Sequence, residues 1–258
     1  MDVVKNILGG FLFWITNMER LMTKLAAFVL LVLFTSPMWA QEVPQAPKGI
    51  PQNFMYHKDV LIDIMKRKWP DNPYPSAIAG QIEQETCISL TSKKCWSRFA
   101  ELNTSRERGV GLGQHTKTAR FDAMEEAKGL DSDLKDWGWQ DPYNAEMQMI
   151  GLLAMMRRNY GIFKNSTSEL DRYAFALAAY NGGIGGVQSD QRICRNTKGC
   201  DDKLWFDNVE HTSLKAKTKL KGYGQSFFFI NREYPVNILM KRRQKYKPYI
   251  DPFFEGAK

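Results

Sequence analysis

One short stretch holds the residues whose types and spacing most readily do chemistry. Ser76 to Thr86 (SAIAGQIEQET) reads as a helix with Ser76 as its cap. At about 100° per residue from Ile78, Ile82 falls near +40° and Glu85 near −20°, whereas Glu83 falls near 140°. Glu85 therefore shares the apolar stripe, and Glu83 is expected to face solvent. Glu85 also stands beside the helix C-terminus, where the backbone dipole disfavours negative charge. Desolvation and dipole both push its pKa upward. A glutamic acid that keeps its proton near neutral pH is what a general acid needs to be. The plainer reading is a charge tolerated at a helix end.

Two further stretches carry polar groups at glycine-rich ends. Gly109-Val110-Gly111-Leu112-Gly113-Gln114 is no nucleotide loop: its third glycine comes one position early for G-x-G-x-x-G, and Thr104 to Arg108 before it is no buried strand. Closely spaced glycines do let a ligand approach the backbone, and Gln114 offers an amide donor and acceptor. In Ala178-Ala179-Tyr180-Asn181-Gly182-Gly183, two alanines permit close helix packing, and Tyr180 and Asn181 present polar tips before the glycines end the helix. Tyr173, Leu177 and Tyr180 share one face of that helix. Taken singly, the first stretch reads as a flexible turn and the second as core packing plus a cap.

The elements that must position these residues read as helices. Val60, Leu61, Ile64, Met65 and Lys68 recur at helical spacing between Phe54 and Trp69, and Pro70 stops that helix. Residues 92–113 are mostly polar and glycine-rich. Asp141-Pro142 introduces a helix from Tyr143 to about Tyr160, and another runs from Leu170 to Tyr180. An excursion containing Gly, Lys and Cys follows, and a last helix runs from about Pro235 to Tyr246. Alternating strand patterns are scarce, and Ser226 to Ile230 is apolar but short. The expected fold class is mainly α with a long polar insertion.

The chain has 258 residues, is 43% hydrophobic and 25% charged, and carries a net charge of +8. That composition excludes a disordered, collagen-like or multi-span membrane protein. Leu25 to Phe34 is an uninterrupted apolar run behind Arg20 and Lys24, and Ile7 to Ile15 is a shorter apolar stretch. Ten residues reach about 15 Å, half of a bilayer core of roughly 30 Å. Residues 1–40 are expected to be an export signal cleaved after Ala40, or an N-terminal membrane anchor, since Met38 and Trp39 are unusual beside a cleavage site. Met18 or Met22 would make a tidier start than Met1. Residues 41–53 form a Pro-rich linker, 54–250 the folded domain and 251–258 a tail.

Residues 1–40 hold Lys5, Arg20 and Lys24 against Asp2 and Glu19, which leaves the remainder at about +7. Lys241, Arg242, Arg243, Lys245 and Lys247 concentrate part of that surplus, as a solvated helix face or as a dock for an anionic envelope surface. Nucleic acid is disfavoured in a chain that leaves the cytoplasm. Export also permits disulfides, and the simplest of three connectivities pairs Cys87 with Cys95 and Cys194 with Cys200. Zinc competes, but neither pair has C-x-x-C spacing and the histidines lie far from both.

In this order, Gln84-Glu85-Thr86, Gly111-Leu112-Gly113-Gln114 and Ala178 to Gly183 resemble the signature motifs QES, GLMQ and AAYNAG of the soluble lytic transglycosylase family. Arg232-Glu233-Tyr234 resembles that family's later ETRxY element. The resemblance covers about residues 54–250. Thr86 replaces serine, Gly113 replaces methionine, Pro235 follows the late tyrosine, and the stretch from Glu85 to Gly109 is longer than usual.

The resemblance implies a lysozyme-like domain with a disulfide-stapled insertion, working on peptidoglycan glycan strands. Glu85 would protonate the oxygen between N-acetylmuramic acid and N-acetylglucosamine, while the substrate's acetamido group steadies the oxocarbenium-like centre. Glu85 would then take the O6 proton, closing a 1,6-anhydro ring. Thr86, Gly111, Leu112, Gln114, Tyr180, Asn181 and Tyr234 would bind or orient. No metal or cofactor is called for. Such a protein would work in the periplasm or cell envelope, touching membrane only through its N-terminal segment, with a secretion, conjugation or phage assembly as a further partner. Two rival readings are hydrolysis in the manner of goose-type lysozymes, with Glu101 or Glu107 as second carboxylate, and a non-catalytic murein-binding component of a secretion apparatus.

Overall fold

The computed structural model describes residues 44–213, 215, 217 and 225–256, so the expected signal or anchor over 1–40 lies outside the described residues. The fold is mainly helical, with two disulfides, Cys87–Cys95 and Cys194–Cys200, paired as the spacing suggested. Both bridges point to an oxidising, exported compartment. No helix among the described residues is long and apolar enough to cross a membrane.

Helix α1 (Gln52–Lys68) starts behind Pro51 and buries Phe54, Leu61, Ile64 and Met65. It therefore takes the last two residues of the expected linker, and Ile50 already packs on the core. Helix α2 (Pro75–Thr86) opens with Pro75 in its first turn, where a missing N–H costs nothing. Ser76 is not its cap: Ser76 N donates to Asp251 Oδ1 at 3.0 Å. Ten of its twelve residues are buried, so α2 runs through the middle of the molecule.

The polar insertion holds a three-stranded antiparallel sheet that the sequence pattern did not show. Strands β1 (Glu101–Asn103), β2 (Glu107–Val110) and β3 (His115–Thr118) pair in order, with Glu101 opposite Val110 and Val110 opposite His115. Strands this short and polar give no readable alternation. Asp122 caps α3 (Ala123–Lys128) by accepting from Met124 N and Glu125 N. Asn144 caps α4 (Ala145–Ile162) in the same way, and Ser168 caps α5 (Glu169–Gly182) by accepting from Asp171 N. α5 is apolar all round and fully packed from Tyr173 to Ala179, the signature of a central helix.

Gly183, at φ +79°, ends α5 and lets the chain turn straight into α6 (Ile184–Arg195). The expected excursion thus opens with a helix, followed by the Cys194–Cys200 bridge. The C-terminal helix is longer than expected. Ser226 caps α7 (Phe227–Val236), Pro235 lies inside it, a π-helical turn spans Asn237–Arg242, and α8 (Arg243–Ile250) follows. The wider turn comes directly after the proline that cannot donate to the ladder. At the start of the expected tail, Asp251–Phe254 forms a 3-10 turn with Phe254 buried.

Candidate functional site

Glu85 lies in the last turn of α2 and lines a groove of about 970 Å³. The end of α2, the three-stranded sheet, α3 and α4, the end of α5 and the start of α7 form its walls. Its lining mixes exposed apolar side chains, among them Ile88, Leu102, Phe121 and Phe227, with polar groups. Such a lining suits a ligand with both apolar C–H faces and hydroxyls.

Glu85 is partly buried and accepts a hydrogen bond at Oε1 from the Tyr234 hydroxyl. Burial raises its pKa from the ordinary carboxylate range to about 7, against the opposing pull of the Tyr234 hydrogen bond. Glu83 corrects the helical-wheel expectation. It is buried, and its carboxylate receives Arg242 Nη1 at 2.6 Å, Lys245 Nζ at 3.0 Å and the Tyr246 hydroxyl. The wheel separates the two carboxylates correctly, but α2 is covered on both flanks. Glu83 meets its counter-ions on α8 and the π turn, whereas Glu85 meets the groove.

The same contacts engage much of the C-terminal basic run. Arg242 also donates to Gln84 Oε1 at 2.7 Å, and Arg243 donates to the Ser76 hydroxyl at 3.2 Å. With Lys245 on Glu83, most of the run serves the fold.

Tyr180 lines the groove and donates to Gly113 O at 2.7 Å. Burial and the nearby Glu85 charge hold its hydroxyl protonated, far above its usual range. A Cβ at position 113 would lie 2.8 Å from His115 Nε2 and 3.0 Å from the Tyr180 hydroxyl. Glycine where the resembled motif has methionine thus leaves room for that tyrosine. His115 is buried, donates from Nε2 to Gln148 O at 2.9 Å, and is held neutral by burial with a pKa of about 4.

The remaining expected residues divide between groove and support. Gln114 lines the groove at φ +44°, with Nε2 donating to Ala100 O and Gly111 O. Thr86 also lines it, but its hydroxyl donates to Ile82 O at 2.6 Å and accepts from Trp96 N at 2.9 Å, tying α2 to the disulfide loop. Asn181 is exposed in the groove, its Oδ1 accepting from Asn231 Nδ2 at 3.1 Å. Gly111, Leu112 and Tyr234 stand behind the lining. Gly111 sits at φ +75°, and a Cβ there would come within 2.1 Å of the Gln148 amide. Leu112 is buried, with its N–H on Gln148 Oε1 at 2.9 Å.

Gln148 is the residue sequence reasoning missed. Fully buried on α4, it also donates to Arg98 O and Pro142 O, and so ties the glycine loop, held at Leu112 N, to the chain at Arg98 and Pro142. Only its polar character within an apolar stripe hinted at this. Asn231, Lys215 and the Glu126–Arg158 pair on the groove wall were missed as well.

Glu101 lines the groove but is engaged at both oxygens, by Arg108 Nε at 2.7 Å and by the Tyr143 hydroxyl at 3.2 Å. The Arg108 contact lowers its pKa. Among the described residues, Asp207, Glu210 and His211 could bring donor atoms within 4.8 Å of one another for a metal ion, and none of them lines the groove. No known family model matches the chain, and no curated protein matches it.

Proposed function

We propose that this protein is a peptidoglycan lytic transglycosylase with a lysozyme-like catalytic domain and Glu85 as its single general acid and base. The observation that carries the reading is a groove-lining carboxyl with a raised pKa, held by Tyr234. At neutral pH a large share of Glu85 keeps its proton, ready for the glycosidic oxygen. Once it has given that proton, the Tyr234 hydrogen bond stabilises the carboxylate, which then accepts the O6 proton of the muramoyl residue. One bond breaks, one forms within the sugar, and no water is consumed.

Glu101 and Glu107, the two carboxylates that could serve hydrolysis as the second group, both line the groove, and the contacts of the first argue against that role. Glu101 is committed to Arg108 and Tyr143 and is not poised to activate water. Two disulfides agree with work in the envelope, where murein lies. Mass spectrometry of sacculi digested by the purified protein tests the proposal. Muropeptides with 1,6-anhydro ends are expected. Reducing ends would assign the groove to hydrolysis, and intact sacculi would leave a binding protein.

A further inference from the structure

The end of the groove where α5 meets α7 carries an arrangement that the acid–base reading does not use. Asp190 is buried on α6, and its Oδ2 receives Arg232 Nη2 at 2.5 Å and Lys215 Nζ at 3.2 Å. Among the described residues it is the one carboxylate within ion-pair distance of either cation. Two positive charges thus share one negative charge. Arg232 is nearly enclosed, between the Trp205 and Phe228 rings. Lys215 keeps 18% of its side chain exposed and lines the groove, so the surplus charge appears there. A Cβ at Gly182 would lie 3.2 Å from Lys215 Cε, and one at Gly186 would lie 3.2 Å from its Nζ. Glycine at both positions leaves the space in which the lysine stem lies.

The same arginine sets the polarity of the neighbouring amides. Guanidinium only donates, so Arg232 Nη1 fixes Asn231 Oδ1 as its acceptor. Asn231 Nδ2 then donates to Ala178 O at 2.9 Å and to Asn181 Oδ1. The oxygen of Asn181 is therefore turned toward α7, and its Nδ2 is left to the groove. Lys215 Nζ and Asn181 Nδ2 bring donors to this end of the groove, while Asn181 Oδ1 is already engaged by Asn231.

We infer that this end of the groove is a subsite for a carboxylate-bearing group of the ligand, read by Lys215 Nζ and Asn181 Nδ2 and held in register by Asp190, Arg232 and Asn231. It rests on the glycan reading of the groove, whose carboxylates come from two sources, the lactyl group of a bare muramoyl residue and the stem peptide of a substituted one.

Binding to the full-length Glu85→Gln protein, which blocks turnover, tests it with three probes. These are chitotetraose, which has no carboxylate; a tetrasaccharide alternating N-acetylglucosamine and N-acetylmuramic acid with free lactyl groups; and the same tetrasaccharide with peptide stems amide-linked there. At least one carboxylate-bearing probe is expected to bind about 5- to 10-fold more tightly than chitotetraose at low salt, as a partly buried charge-assisted contact allows. Which of the two does so identifies the source. Adding Lys215→Gln should abolish that preference while leaving chitotetraose affinity unchanged, and Lys215→Arg should restore it. Equal binding of all three probes, or a preference that survives Lys215→Gln, would overturn the subsite alone. Failure of every probe to bind would overturn the glycan reading with it.

Discussion

Glu83 and Glu85 stand two positions apart and meet opposite fates. Glu83 is a buried acidic side chain that meets two cations and a tyrosine. Removing the carboxylate in Glu83→Ala would leave Arg242 and Lys245 without it, and unfolding by urea should show a loss of about 3–5 kcal/mol. Glu85→Gln should abolish murein cleavage without such a loss. Tyr234→Phe removes the hydrogen bond that holds the Glu85 pKa down, so that pKa should rise above about 7. The alkaline limb of the pH–rate profile should then move upward, with a fall in rate of about 10-fold from lost orientation. The helical wheel separated these carboxylates before any fold was known. What covers the far side of α2 was not legible, because the partners of Glu83 lie about 160 residues away in sequence.

At the scale of elements, the long apolar helices were legible to within a few residues, and the short polar strands were not. The three motif stretches converge on one groove, yet Gly111 and Leu112 serve it from behind, through Gln148. Spacing along the chain says that a glycine is needed and not what fills the space beside it. Gly111→Ala meets both a positive φ and a side chain at 2.1 Å, so thermal unfolding should show a stability loss of at least about 1–3 kcal/mol. The departures from the resembled motifs find local reasons: Gly113 clears the Tyr180 hydroxyl, and Pro235 is followed by a π turn. The Cys87–Cys95 bridge closes a short loop that begins beside Glu85. Replacing both cysteines with serine should cost about 2–3 kcal/mol by loop-closure entropy, read from chemical denaturation under oxidising conditions.

For the molecule as a whole, two buried groups give opposing pH dependences. Glu85 has a folded pKa of about 7, raised above its unfolded value, so the folded state holds the extra proton. Its contribution falls as pH rises through the window from about 4.5 to 7. His115 has a folded pKa of about 4, lowered from 6.5, so its contribution falls as pH drops through the window from 6.5 to about 4. Glu85→Gln removes the first slope and keeps the second. Its melting temperature should exceed that of the wild type at pH 8 by a few degrees and converge with it near pH 4.5.

The central claim is that one carboxyl with a raised pKa does the proton transfers. Its most direct test is the initial rate of soluble muropeptide release from sacculi, followed from pH 5 to 9 for the wild type and Glu85→Gln. The account predicts a wild-type rate that falls through a single ionisation near pH 7, and no release by the variant at any pH. Release by Glu85→Gln at the wild-type rate, or a wild-type profile with no fall up to pH 9, would contradict it.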